Sequence, residues 1–403
     1  MKCRSCGSSQ TTEFLSLRKQ PPANSFLKQT EINKEQHYPL DVIFCSNCTL
    51  VQLSNESYID RDNLFLHYNY ASSIAGGLRR HFEELAKTIS KDIPFNRLVV
   101  DIGSNDGVLL KPLKDLGVKA IGIEPASNLA EKANKQGLET ISDYINNQSV
   151  NNIISKYGHA DVVTAANVFA HLEDVHEFIE KVKLLLNEQG IFIIEVQYFA
   201  DMIKEMTFDN IYHEHVLYYT LQSISALLNK HKMNVFRVEH IMTHGGSLRV
   251  YASKDKRDIE DNVTNLIKSE NNMKLDQLQT YKSFANQLKE RIQEIKELLL
   301  ELKKQNKFVI GYGAPAKSST MINSIGLDNN LIQYIVEDSP LKQGLITPGS
   351  HIPIVSPEMI DEKYPDYIVI FAWNYATEIM KKLEKYKKNG VKFIIPMPIV
   401  TTI

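Results

Sequence analysis

RLVVDIGSNDGVLL, from Arg97 to Leu110, reads as a buried strand, a glycine turn and the opening of a helix. The turn is Asp101-x-Gly103-x-x-x-Gly107, which is not the GxGxxG spacing of dinucleotide folds. Its first glycine lets the backbone, with Ser104 beside it, approach a bound molecule. The acid suits an ammonium or a hydroxyl better than a pyrophosphate. The next apolar run, KAIGIEPA, ends in Glu124, where a carboxylate after a second strand can take both ribose hydroxyls. Together the two halves lay out a site for S-adenosylmethionine. ADVVTAANVFAHL and GIFIIEVQYF follow at helix-spaced intervals, so a mostly parallel α/β sheet is expected, with ligands at the carboxyl ends of its strands. Asn167, His171 and Gln197 fall at or just past such ends. Asn167 and Gln197 are assigned to the cofactor.

Upstream, Cys3-Arg-Ser-Cys6 and Cys45-Ser-Asn-Cys48 hold all four cysteines of the chain. Each CxxC turn aims two thiolates at one point, and two such turns complete the tetrahedral sulfur shell of Zn2+. With no open position left, the metal is expected to be structural; reduced, unligated thiols or a redox role are the alternative. A length of 403 residues implies two or three domains. The net charge of -2, without a basic stripe, argues against nucleic acid as a partner. MKCRSCGSSQ lacks the apolar core of a signal peptide, and no run reaches the length of a membrane span, so a cytoplasmic protein without a membrane partner is expected. Nothing sets an oligomeric state, and a monomer satisfies the sequence.

FDNIYHEHVLYY, Phe208 to Tyr219, gathers Tyr212, His213, Glu214, His215, Tyr218 and Tyr219. These types donate, accept or carry protons near neutral pH, which is the requirement of general acid/base chemistry. An aromatic hairpin with wet polar tips is the plain alternative. A metal at His213 and His215 is a weaker one, because HExxH is absent and no third ligand is evident. Tyr68 and Tyr70 point the same way if extended, either lining a substrate or packing before a helix. In IMTHGGSLRVYAS, Arg249 either meets an anionic group or is a solvated side chain on a hairpin. Phe284, Leu288, Ile292, Ile295, Leu299 and Leu302 recur at helical spacing in a long amphipathic connector. KFVIGYGAPAKSSTMINSIG opens a second α/β unit. It lacks GxGxxG and shows no acidic ribose ligand in the expected setting, which disfavours a second dinucleotide. Its glycine turn still makes an anion site for a diphosphate, with Lys317 as counter-charge. Trp373, Asn374 and Tyr375 end a later strand, where a base or sugar could stack.

With the CxxC pairs, DIGSNDG, NVFAHLED, YHEH and GYGAPAK in this order, the chain resembles, nearly end to end, the sugar C-methyltransferases that act on nucleotide-linked 4-keto-deoxyhexoses. The resemblance implies a zinc-binding domain (1–66), a class I S-adenosylmethionine-dependent methyltransferase domain of Rossmann-like α/β fold (67–254), a helical connector (255–306) and a C-terminal Rossmann-like domain holding the nucleotide-diphosphate sugar (307–403). Tyr212, Glu214 and His215 match the family's Tyr-x-Glu-His, and His171 a further active-site histidine. The chemistry that follows is removal of a proton beside a ketone, at C3 of the sugar, with His215 as base. Tyr212 and His171 would then meet the enolate oxygen, and Glu214 would orient an imidazole or a sugar hydroxyl. An O-methyltransferase on the same scaffold and a non-catalytic zinc-ribbon binding module are the rival readings.

Overall fold

The computed structural model describes residues 1–59, 76–92 and 97–403. Tyr68 and Tyr70 lie outside those residues, as does the expected boundary at 66/67. Among the described residues no helix is long and apolar enough to cross a membrane.

The strand Leu98–Ile102 is buried along its whole length, as an unbroken apolar run must be when helices cover both faces of a sheet. It lies inside a seven-stranded sheet whose strands, counted along the domain, run in the order 3-2-1-4-5-7-6, with the seventh antiparallel to both of its neighbours. The order reverses between Leu98–Ile102 and Ala160–Ala166, and a crevice opens at such a switch point beyond the strand ends. The turn leaving the first strand needs its glycines: Gly103 has φ +71°, and a Cβ there would stand 2.4 Å from Val168 Cγ2. The class I methyltransferase architecture follows from these features.

The N-terminal sheet is antiparallel and has four strands: Thr11–Gln20, Tyr38–Cys45, Val51–Leu53 and, from far downstream, Leu217–Tyr218. Each CxxC turn is closed by a residue in the left-handed region. Gly7 (φ +72°) donates its N–H to the Cys3 carbonyl and Thr49 (φ +60°) to the Cys45 carbonyl, both at 2.9 Å. The four Sγ atoms lie within 4.8 Å of one another, with Cys3–Cys48 and Cys6–Cys45 at 3.5 Å. Tetrahedral Zn–S bonds of about 2.3 Å require sulfurs roughly 3.8 Å apart, so the cage fits zinc.

Residues 309–402 form a third sheet of six strands, in the order 3-2-1-4-5-6 of a Rossmann unit. Between the second and third sheets the connector is two helices, Asp261–Asn272 and Leu278–Lys304. Phe284, Leu288, Ile295, Leu299 and Leu302 are buried along one face of the longer helix, as their spacing requires. That helix is also a wedge: Tyr281 stacks on Phe44 of the N-terminal sheet at 4.6 Å and on Phe199 of the central domain at 5.9 Å.

Because Leu217–Tyr218 completes the zinc-bearing sheet, losing a sulfur ligand is expected to loosen it. Plasma emission should find about one zinc per chain. In Cys45→Ser, amide exchange at Leu217 and Tyr218 should quicken by at least ~10-fold, and unchanged exchange would refute the link.

Candidate active site

The segment Phe208–Tyr219 is pinned at Val216 through both of its backbone polar groups. The Val216 N–H donates to the Ala170 carbonyl at 2.8 Å, and the Val216 carbonyl accepts from Leu53 N–H at 2.9 Å. Just before Val216, His215 N–H donates to the Tyr212 carbonyl, a turn that places side chains three apart side by side. Tyr212 and His215 therefore meet, with ring centroids 4.1 Å apart. His213 faces the other way: its Nε2–H donates to the Pro39 carbonyl at 3.0 Å, and its ring lies edge-on to Tyr38. Tyr218 belongs to the fourth strand of the N-terminal sheet, and Tyr219 packs on Phe169 at 5.2 Å. The segment thus splits in two, with the paired Tyr212 and His215 rings on one side and core packing on the other. Among the described residues, the one group of three or more His, Cys, Asp or Glu side chains spaced for a metal is the cysteine set.

Partner chemistry fixes the imidazole tautomers. His215 Nδ1 lies 2.8 Å from the Asn210 carbonyl, and a carbonyl only accepts, so Nδ1 carries the hydrogen. Nε2 keeps its lone pair, to which the Tyr212 hydroxyl donates at 2.9 Å. His171 likewise gives its Nδ1–H to the Glu214 carbonyl at 2.5 Å, and burial pushes its pKa down, so it is neutral near pH 7. The His171 and His215 rings are 4.9 Å apart. The Glu214 side chain is 3% exposed, and burial pushes it up to about 7; the Asn24 amide donates to its oxygens at 2.8 and 2.9 Å, opposing the shift, as does the ammonium of Lys342.

This cluster adjoins the glycine turn. Val168, which a Cβ on Gly103 would strike, lies three residues before His171 and accepts its backbone N–H. At the turn, Asp101 is pushed up to about 7 by burial while accepting from Thr164 at 2.6 Å. Glu124 accepts the N–H groups of Asn105 and Ala126, each at 2.8 Å, and ends the second strand as expected. Ser104 Oγ and Gln197 Oε1 are buried with no hydrogen-bond partner among the described residues, and Asn167 sits at φ +58° at the end of its strand. Gln197 Nε2 donates to Asn210 Oδ1 at 3.4 Å. A glycine cradle without room for a Cβ, a strand-end carboxylate and buried orphan acceptors fit S-adenosylmethionine, which Asp101, Gly103, Ser104, Gly107, Glu124, Asn167 and Gln197 would hold.

The cations expected to meet substrate have carboxylate partners. Arg249 is buried against Glu195 at 2.5 Å and Glu239 at 2.9 Å, and His81, 2.7 Å from Glu195, also lies 3.4 Å from the guanidinium. Two carboxylates already balance its charge. Lys317 lies 3.8 Å from buried Asp209 and 4.2 Å over the ring of Trp373, whose Nε1–H donates to Asp209 at 2.6 Å. Asn374 and Tyr375 are exposed in the short turn after Trp373.

The sequence reading missed four residues. Asn24, in the N-terminal domain, holds Glu214. Lys342 donates to the Ala314 carbonyl at 2.7 Å in the GYGAPAK turn and lies 4.5 Å over the Phe26 ring, with Glu337 and Glu214 the carboxylates that favour its charge. Glu337 fills the setting in which no acid was seen: it ends the second strand of its unit and accepts N–H groups from Ala314 and Ser339 at 2.6 and 2.9 Å, as Glu124 does in the central domain. Asp209 is the fourth. Only Glu337 had a local signal, the acid closing the apolar run IQYIVED.

Three family models match in chain order: a zinc binding domain over residues 3–65, a methyltransferase domain over 70–236 and the C-methyltransferase C-terminal domain over 242–398. The C-methyltransferase NovU of Streptomyces niveus is 35% identical over 402 residues, covering 98% of this chain and 95% of the relative. A ubiquinone biosynthesis O-methyltransferase of Rhodopseudomonas palustris (strain TIE-1) is 33% identical over 117 residues, 28% of this chain and 45% of the relative. Among solved structures, magnesium protoporphyrin IX methyltransferase from Synechocystis PCC 6803 with bound SAM aligns over 44% of this chain and 80% of its own, at 14% identity and a TM-score of 0.34.

Glu214 gives a pH test. With its folded pKa above the unfolded value, the native state binds the extra proton between pH 4.5 and about 7, so stability falls as pH rises through that window. Glu214→Gln removes this titration. Urea unfolding should show the variant gaining about 3 kcal/mol on wild type between pH 4.5 and 8. An equal difference at both pH values would exclude a raised carboxyl.

Proposed function

The chain belongs to the C-methyltransferase family and is a methyltransferase dependent on S-adenosylmethionine, and from that premise we propose that it methylates C3 of a nucleotide-linked 4-keto-deoxysugar. The observation that carries this reading is the His215 imidazole: its tautomer is held by a carbonyl at Nδ1, its Nε2 lone pair faces Tyr212, and it lies against His171 at the rim of the glycine turn.

A carbon becomes nucleophilic only when an adjacent carbonyl accepts its electrons. In the proposed reaction His215 Nε2 takes the C3 proton, the C–H pair becomes the C3–C4 π bond, and the ketone pair moves to oxygen. The Tyr212 hydroxyl, which donates to Nε2 in the structure, turns to the ketone oxygen and stabilises the charge that develops there. His171 has committed its N–H to the Glu214 carbonyl, with Asn167 a second backbone partner, so the neutral ring has no N–H left for an enolate. This assigns the enolate oxygen to Tyr212 and gives His171 the task of holding a sugar hydroxyl or the ring of His215. The Glu214 backbone orients His171, while its side chain, tied to Asn24, faces the Lys342 side of the cleft. When bound, S-adenosylmethionine would supply the electrophilic methyl group to C3, the electron pair of the broken S–C bond staying on sulfur as a neutral thioether.

The nucleotide belongs on the C-terminal domain. Its glycine turn and Lys342 suit a diphosphate better than Lys317, which Asp209 already matches, and Glu337 suits a ribose hydroxyl. Trp373, Asn374 and Tyr375 border the same strand ends, whereas Arg249 serves the central sheet.

A panel of nucleotide-linked 4-keto-deoxysugars assayed in D2O tests the proposal. Deuterium should enter C3 before methylation, and carbon NMR should place the new methyl there. Methyl transfer to a hydroxyl without exchange would establish the O-methyl rival. His215→Ala should lower kcat by about 10²- to 10⁴-fold, and near-normal turnover would exclude it as the base.

A further inference from the structure

Asp209 begins the polar run of the catalytic segment and is fully buried, yet no step of the proposed reaction uses it. Both of its partners come from the C-terminal domain. Trp373, just past a strand end, donates its indole N–H at 2.6 Å; Lys317, in the first turn of the helix Ala316–Ile325 after the glycine turn, places its ammonium 3.8 Å away. The ammonium also lies 4.2 Å over the indole ring, and that ring leans on the central domain, its Cη2 3.7 Å from where a Cβ on Gly245 would stand. Asp209 Oδ1 is buried without a partner among the described residues. Burial pushes the Asp209 pKa up and the Lys317 pKa down, and each group opposes the other's shift. A buried ion pair is a poor way to gain stability, since apolar side chains of similar volume do as well or better. What this pair adds is direction.

The next residue, Asn210, shows where that direction leads. Its carbonyl holds the His215 Nδ1–H at 2.8 Å and its side-chain oxygen accepts from Gln197 at 3.4 Å. We infer that Asp209 is a positioning residue: with Trp373 and Lys317 it clamps the C-terminal glycine turn to the catalytic segment and so sets the place of the His215 imidazole. The inference rests on His215 as the base. Occupancy of the C-terminal domain is then felt at the reacting carbon through one buried cluster.

Asp209→Asn keeps the shape and removes the charge. It should lower kcat by at least ~10-fold while KM for S-adenosylmethionine stays within about twofold. Asp209→Asn with Lys317→Gln leaves no unmatched ammonium, and should recover kcat at least ~3-fold over the single variant. Trp373 is the only tryptophan in the chain, so its fluorescence reads the clamp without any turnover. Acrylamide quenching in Asp209→Asn should rise at least ~2-fold. Wild-type kcat in Asp209→Asn, no recovery in the double variant, or unchanged quenching would each overturn the inference. Should Asp209→Asn fail to fold, Trp373→Phe keeps an aromatic ring while removing the pyrrole portion with its N–H donor; a kcat at the wild-type level there would overturn it equally. If His215→Ala retains turnover, the failure belongs to the proposed reaction, and unchanged quenching still counts against the clamp.

Discussion

The catalytic segment owes its position to two residue pairs, Val51 with Tyr218 and Gln52 with Leu217, which make it the fourth strand of the sheet that carries the cysteine cage. A two-residue strand has no stability of its own, and its backbone groups, once buried, must find partners. The N-terminal sheet supplies them on one side and Ala170 of the central domain on the other. The cysteine cage thus bears on the placement of Phe208–Tyr219, because Val51–Leu53 follows the second CxxC turn and pairs with Leu217–Tyr218.

Burial then does the chemical tuning. Two histidines two positions apart, His213 and His215, take opposite directions in the turn, and only one faces Tyr212. Both His215 and His171 spend Nδ1–H on backbone carbonyls, a cheap way to fix a tautomer because a carbonyl cannot reverse its role. Burial around His171 disfavours its imidazolium form. Glu214 shows the reverse case, a carboxyl drawn toward neutrality in the same surroundings and moderated by Asn24 and Lys342.

What the sequence revealed divides along the range of the interaction. DIGSNDG and the CxxC pairs are local: a turn, its glycine and its ligands lie within a few residues, so the mostly parallel sheet, the glycine turn and the sulfur cage were all legible, though the strand order was not. The apolar spacing of the Leu278–Lys304 helix was equally plain, but not what its face would cover. Lone cations were the hardest to place, because their counter-ions are remote in sequence. Arg249 showed no sign of Glu195, nor Lys317 of Asp209, whereas Lys342, in an unpatterned loop, drew no notice. Asn24 was beyond reach for the same reason, standing 190 positions from Glu214. The expectation for Tyr68 and Tyr70 falls outside the described residues.

One apolar core contains Leu15 and Phe44 of the first sheet, Phe199 and Phe208 of the second domain, Phe284 and Leu299 of the long helix, and Val369 and Met397 near the C-terminus. The chain is thus modular in its motifs but not in its interior. Anyone grafting the last hundred residues from a relative to change which nucleotide is accepted would cut through a single packed body. A workable chimaera must carry the helix face and the first sheet's inner surface along with the transplanted unit.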